Sequence, residues 1–343
     1  MWTGGIKMQR TYTPRELLKL TMPFVWAKLF LRLIATAISI ALFALGIWLA
    51  LSGIVGMGIA LVLLFVGPMI YFVIVRIFGY GVRVGHIAVL TETIKNGELP
   101  NNQIIYGKQK VKERIGTAAT FFFINKLIDR AVQQLQAILQ RTAGILGMVP
   151  GMSALVGFGQ AFVKQALKFV DECCIAWIFY GPAEQSAWKG SLDGIAIYFQ
   201  NWKRVLGNAV KSVFLEFIAT IVLFVVIAAT FFGIFSLLGG GLWNLLAILI
   251  GFLVALAIKQ AFMDSWIMIR MLVTFLDVAP TTEIRLDMYG KLSTMSPAFR
   301  QMTTRAQDEI NASSFRNNGN FCNMCGLENP INSRFCKECG SQI

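Results

Sequence analysis

The chain has 343 residues, 56% of them hydrophobic and only 14% charged, with a mean hydropathy of +0.63. Soluble domains carry about 25% charged residues, and a core of this size cannot hide so much apolar surface, which excludes a water-soluble globular protein. The net charge of +13 sits on basic residues that flank apolar runs, the pattern that sets loops against an anionic cytoplasmic leaflet, and argues against nucleic acid as the partner.

Residues 1–32 read as a basic cytoplasmic or interfacial segment, with Lys7, Arg10, Arg15, Lys19, Lys28 and Arg32 against one acid, Glu16. The first long apolar run begins only at Leu33, and no small-residue cleavage site is visible, so no cleaved signal peptide is expected. Thr13-Pro14-Arg15-Glu16 combines a capping hydroxyl, a proline at the first helical position and an acid at the third. It predicts a short helix that lies along the interface until Pro23 interrupts it.

Residues 33–279 read as the membrane domain. Leu33–Val75 is 43 residues long and Phe217–Ile258 is 42, and neither contains Asp, Glu, Lys or Arg. One crossing needs roughly 20 apolar residues of helix, and inside hydrocarbon the backbone must bond to itself. Glycines break each window near its middle: Gly53, Gly56 and Gly58 in the first, Gly239, Gly240 and Gly241 in the second. Each window is therefore expected to be an antiparallel hairpin, with spans at 33–51, 54–75, 217–238 and 242–258. The echo between Leu33-Ile34-Ala35-Thr36 and Phe217-Ile218-Ala219-Thr220 fits either an internal duplication or two apolar runs that look alike by chance.

Between the hairpins, residues 76–114 carry seven basic residues and three acids and are expected on the cytoplasmic side. Turns are expected at Asn96-Gly97 and at Leu99-Pro100-Asn101-Asn102. His86, the single histidine, reads as an ordinary interfacial residue. Over 118–142, Ile124, Leu127, Ile128, Ala131, Leu135, Ile138 and Leu139 recur at helical spacing, so an amphipathic helix is expected, lying on the bilayer or packed on the hairpins. Region 142–183 is apolar but broken by glycines, Pro150 and a charged patch at Lys164, Lys168, Asp171 and Glu172, which predicts a re-entrant or interfacial arrangement. The adjacent Cys173 and Cys174 read as two small buried side chains. A substrate path for a small cationic solute, if one exists, is drawn from Glu216 at the edge of a span, Asp264, and the aromatic rings of Trp177, Tyr180 and Trp266. An interfacial or capping role is the plainer reading of Glu216.

Two stretches resemble the choline transporter-like family. One is Ala176-Trp177-Ile178-Phe179-Tyr180-Gly181 with Ser186-Ala187 and Asn201-Trp202-Lys203-Arg204-Val205; the other is Ala261-Phe262-Met263-Asp264-Ser265-Trp266 running to Thr274-Phe275-Leu276-Asp277. The resemblance covers about a third of the chain and implies transport of a small cation. Members of that family are longer, with more spans and a large extracellular loop.

Residues 280–320 read as a polar linker with one helix near Pro297–Ile310. Residues 321–343 hold Cys322, Cys325, Cys336 and Cys339 as C-x2-C-x10-C-x2-C, each pair in the frame Phe-Cys-x-x-Cys-Gly. Four thiolates at this spacing close a tetrahedral site around one structural zinc ion, and the motif resembles the short zinc ribbons at the ends of many prokaryotic proteins. The ribbon's own charges, Glu328, Arg334, Lys337 and Glu338, cancel, which favours a protein partner.

The expected fold class is thus an all-α polytopic membrane protein: two transmembrane hairpins, amphipathic or re-entrant helices and a small C-terminal zinc ribbon. Both termini are expected in the cytoplasm and the spans in the cell membrane; homo-oligomerisation is left open. No nucleophile with partners, phosphate loop or open metal site is visible, so no enzyme is expected. Two functions remain: a transporter-like protein for a small cationic solute, or a non-transporting adaptor or sensor that binds partners through its ribbon and amphipathic helix.

Overall fold

The computed structural model describes residues 12–53, 57–116, 123–135, 137, 169–182, 185–237, 242–317, 320–321, 328–329 and 333–342. Helix α1 (Pro14–Leu20) starts with a complete capping box, the Glu16 N–H donating to Thr13 Oγ1 at 3.3 Å and the Thr13 N–H donating to Glu16 Oε2 at 2.8 Å. It ends at Thr21, and α2 (Met22–Ser52) begins at once with Pro23 in its first turn, where no amide is required. Pro23 therefore opens a helix and costs the chain one non-helical residue instead of a loop. Leu17 is fully buried, so α1 packs one face into protein.

Helix α3 (Met57–Asn96) runs antiparallel to α2, with Gly67 against Ser39 and Gly79 against Leu31. It continues well past the charge-free window and stops at Gly97, which takes the left-handed conformation at φ 73°. Then come α4 (Gln103–Ile115), a helical stretch at 123–135 (α5), α6 (Val170–Tyr180), α7 (Ala187–Gln200) and α8 (Trp202–Ser236). Helix α9 (Leu242–Ile258) passes through a π-helical turn, Lys259–Met263, directly into α10 (Asp264–Val278). Helices α11 (Leu286–Met295) and α12 (Pro297–Asn317) follow. Helices α8 and α9 also run antiparallel, with Gly251 against Phe231 and Ala228.

Among the described residues, four helices are long and apolar enough to cross a membrane: Met22–Ser52, Phe65–Asn96, Ile218–Ser236 and Ala247–Thr281. The charge-free windows carry most of the exposed large apolar side chains, among them Ile34, Phe43, Phe65, Phe72, Ile221 and Val225. Water would penalise that surface, and lipid does not. The core lies outside the windows. It joins Val84, Ile87 and Leu90 of α3 to Ile124, Leu127, Ile128, Ala131 and Leu135 of α5, and to the buried faces of α6, α7 and α10. The apolar stripe expected on α5 is thus real over the described residues and faces protein; Ile138 and Leu139 fall outside them. Leu292, Phe299, Met302 and Ala306 join the same core, so the segment read as a polar linker carries two helices with a packed face.

Two close approaches hold this domain together. A Cβ on Gly107 of α4 would lie 2.7 Å from the carbonyl oxygen of Gly85 on α3, and a Cβ on Gly194 of α7 would lie 2.8 Å from the Cα of Cys174 on α6. Only glycine lets these backbones meet. Cys173 and Cys174 are fully buried, as their bland reading holds.

Candidate functional site

Where the first charge-free window ends, α2 and α3 present polar side chains one turn apart: Lys28 and Arg32 on α2, and Arg76, Tyr80 and Arg83 on α3. Residues three, four or seven apart share a helix face, so these groups converge on one side. The π turn and α10 add Gln260, Asp264 and Ser265 from the end of the second window. Helix α5 brings Asn125, Lys126 and Asp129, and α6 brings Asp171 and Glu172. Together they enclose a cavity of about 500 Å³ at the junction of the membrane hairpins and the helical domain.

The pairing inside it is specific. Arg83 Nη1 donates to Glu172 Oε1 at 2.9 Å and lies 4.0 Å from Asp171. Lys259 Nζ donates to Asp264 Oδ1 at 2.6 Å. Lys28 Nζ donates to Ser265 Oγ at 3.0 Å and lies 2.9 Å from His86 Nδ1. His86 Nε2 is 2.8 Å from Thr21 Oγ1, whose hydroxyl donates to the Leu17 carbonyl at 2.7 Å. Because Thr21 spends its proton on Leu17, it accepts from His86 Nε2–H, and Nδ1 accepts from Lys28. His86 is fully buried with Phe24 stacked on it at 5.0 Å, which corrects its reading as an interfacial residue. Its partners lie 58 and 65 residues away in sequence, so no local signal betrayed them.

Arg32 Nη1, Glu172 Oε2 and Asn125 Oδ1 are buried around the cavity with no hydrogen-bond partner among the described residues. Burial, and then the neighbouring Asp171, push the Glu172 carboxyl well above the usual carboxylate range. Burial raises that of Asp129 as well, against the opposing pull of Arg83.

Of the residues named for a substrate path, the structure places Asp264 in this cavity. Trp177 and Tyr180 stack on each other at 5.5 Å, and Tyr180 is capped by Lys95 Nζ at 5.0 Å, so their faces are already taken. Trp266 holds the Arg270 guanidinium at 5.7 Å and does not line the cavity. Glu216 is on α8, and its side chain lies outside what the structure describes. The site residues that the sequence reading passed over are Lys28, Arg32, Arg83, Asp129, Asp171 and Glu172. A signal for some of them existed, since Arg32 and Arg76 bound the first window and Asp171 and Glu172 interrupt an apolar stretch.

Of the four cysteines expected to hold a metal, Cys336 and Cys339 lie among the described residues. Strands β1 (Asn320–Phe321) and β2 (Glu328–Asn329) pair antiparallel, Phe321 opposite Glu328, on either side of the first cysteine pair. Cys322 and Cys325 themselves lie outside the described residues. In the second pair, the Gly340 N–H donates to the Cys336 carbonyl at 3.0 Å and Gly340 adopts φ 68°, so Cys336 and Cys339 flank one tight turn. Asn329 Nδ2 approaches Cys336 Sγ at 3.5 Å, and the Lys337 N–H donates to Asn329 Oδ1 at 2.8 Å. An amide N–H aimed at sulfur suits a thiolate ligand, and this arrangement fits the donor set that zinc takes.

The two stretches that resemble the choline transporter-like family lie against each other: Arg204 Nη2 donates to Asp277 Oδ2 at 3.1 Å, and Trp177 meets Phe275 edge-on at 6.5 Å. No family model matches the chain, and no curated protein or solved structure is similar to it.

Proposed function

We propose that the chain is a membrane-rooted adaptor or sensor, whose helical domain holds a polar ligand at the membrane surface and whose tail binds a protein partner. The observation that carries this reading is the place of the cavity. Its polar groups come from both membrane hairpins and from α5 and α6, so an occupant bridges the hairpins and the helical domain and biases how they are packed. The charged lining also stops where the charge-free windows begin. In this reading Cys322, Cys325, Cys336 and Cys339 hold one zinc ion that keeps the tail folded, the hairpins sit in the cell membrane, and both termini face the cytoplasm. Transport of a small cationic solute is the second reading, supported by the resemblance and by Asp264; basic groups in the same cavity oppose a bare cation there.

The test is reconstitution. Purified protein in proteoliposomes is expected to take up choline and other small cations no faster than empty vesicles. Saturable uptake would replace the adaptor by the transporter. In cells, deletion of 321–343 is expected to abolish recovery of a protein partner with the membrane domain after crosslinking, while the membrane domain accumulates normally.

A further inference from the structure

We propose that the junctional cavity binds the headgroup of an aminophospholipid, a phosphodiester linked to a primary ammonium, with the acyl chains against α2 and α3. This rests on the membrane-rooted reading above and names the ligand of the same site.

The lining carries five basic and four acidic side chains, so its charge is mixed and nearly balanced. Internal pairs use part of that set: Arg83 with Glu172, and Lys259 with Asp264. What remains has two poles. Arg32 Nη1 is a buried donor without an acceptor, and Glu172 Oε2 and Asn125 Oδ1 are buried acceptors without a donor. Leaving such atoms unpaired is costly. A simple anion would satisfy Arg32 and leave the acceptors bare; a simple cation would do the reverse. A phosphodiester with a primary ammonium answers both, because it accepts at one end and donates three N–H at the other.

The same atoms discriminate among headgroups. A trimethylammonium group has no N–H to give Glu172 or Asn125. Its alternative would be an aromatic cage, yet among the described residues only Tyr80 and Phe169 contribute rings to the lining. A glycerol headgroup offers only neutral O–H donors, which bond more weakly than an ammonium N–H.

Position argues for lipid as the source. Arg32 and Arg76 are the residues at which the first charge-free window closes, which is headgroup level. Arg76 is flanked on α3 by the exposed Phe72, Val73, Ile77 and Phe78, a surface on which acyl chains can lie. From Arg76 to Arg83 the helix rises about 10 Å, so the cavity runs inward from that level.

The experiment uses the full chain purified in detergent and follows thermal unfolding and binding calorimetry with dihexanoyl phosphatidylethanolamine, the matching phosphatidylcholine and phosphatidylglycerol, glycerophosphoethanolamine and inorganic phosphate. The ethanolamine lipid is expected to raise the unfolding temperature saturably and to bind about ten-fold or more tighter than the choline and glycerol lipids. Arg32→Gln and Asn125→Leu are expected to weaken it about ten-fold each. Glu172→Gln is expected to narrow the preference over phosphatidylglycerol; the other two variants carry the test if that one does not fold. Equal affinity for all three lipids, binding undiminished in both Arg32→Gln and Asn125→Leu, or no shift with any probe would overturn the inference. Glycerophosphoethanolamine or phosphate binding as tightly as the lipid would overturn the lipid source. The flux and tail-deletion tests do not involve this ligand, so a negative result here leaves the adaptor reading to be judged separately.

Discussion

Gly194 and Gly290 both sit inside helices, and their surroundings assign them opposite roles. Gly194→Ala would drive a methyl into the backbone of α6 and is expected to destabilise the protein by about 2 kcal/mol. Nothing lies within 4 Å of the Cβ position at Gly290. Gly290→Ala is therefore expected to raise stability by about 0.5 kcal/mol through the unfolded chain; parallel thermal melts in detergent check both. Asp129 supplies a pH signature. Burial raises its carboxyl in the fold, so above the ordinary carboxylate range the native state holds more protons than the unfolded one. Stability must then fall as pH rises through that window. Asp129→Asn is expected to make this slope shallower, with Glu172 supplying what remains, and identical pH–stability curves for the two proteins would refute the assignment. Little of this was readable beforehand. The Lys28–His86–Thr21 chain and the Arg83–Glu172 pair join residues far apart in sequence, and a single chain shows only neighbours along itself. The cysteines in the tail are legible as pairs because the members of each stand three residues apart in the chain.

At the level of elements, the apolar windows declared themselves, and their ends did not. Charge marks where lipid stops but not where a helix stops. Helix α3 runs on through Arg76 and Arg83 to Asn96 because its lower half enters a protein core that pairs Arg83 with Glu172. Helix α8 likewise starts at Trp202, well before its window. The capping box of α1 was fully local and was therefore fully readable. Thr13→Ala is expected to cost about 1 kcal/mol, measurable as a lowered unfolding midpoint. In the tail, reduced protein is expected to contain one zinc per chain, and Cys336→Ser close to none. Metal analysis that finds no zinc in the reduced parent chain would dismiss the ribbon.

Across the whole molecule, the hairpins form one face of lipid-seeking side chains and the packed helices another body beneath it. Ser52 and Leu237 stand at the far ends of α2 and α8, and Leu237 is 88% exposed. With both termini on the opposite side, Ser52→Cys and Leu237→Cys are expected to react in intact cells with a membrane-impermeant maleimide. Lys108→Cys, exposed on α4, is expected to react only after permeabilisation. Reversed labelling would invert the topology and with it the compartment assigned to the tail. Hydrophobic bulk made two hairpins visible in advance. The globular body stayed hidden because its helices mix polar and apolar residues, as those of any soluble domain do.

The π-helical turn between α9 and α10 carries a consequence for how this chain tolerates change. The Asp264 N–H donates to the carbonyl of Lys259, five residues back, so one extra residue is looped into an otherwise regular rod. Losing a residue between 259 and 263 would straighten the rod and keep Asp264 at its azimuth. Losing one farther on, such as Val273, would swing everything after it by about 100°. The slack thus sits where the apolar spans meet the packed helical body, and a residue can be lost there without turning the wall of the pocket away.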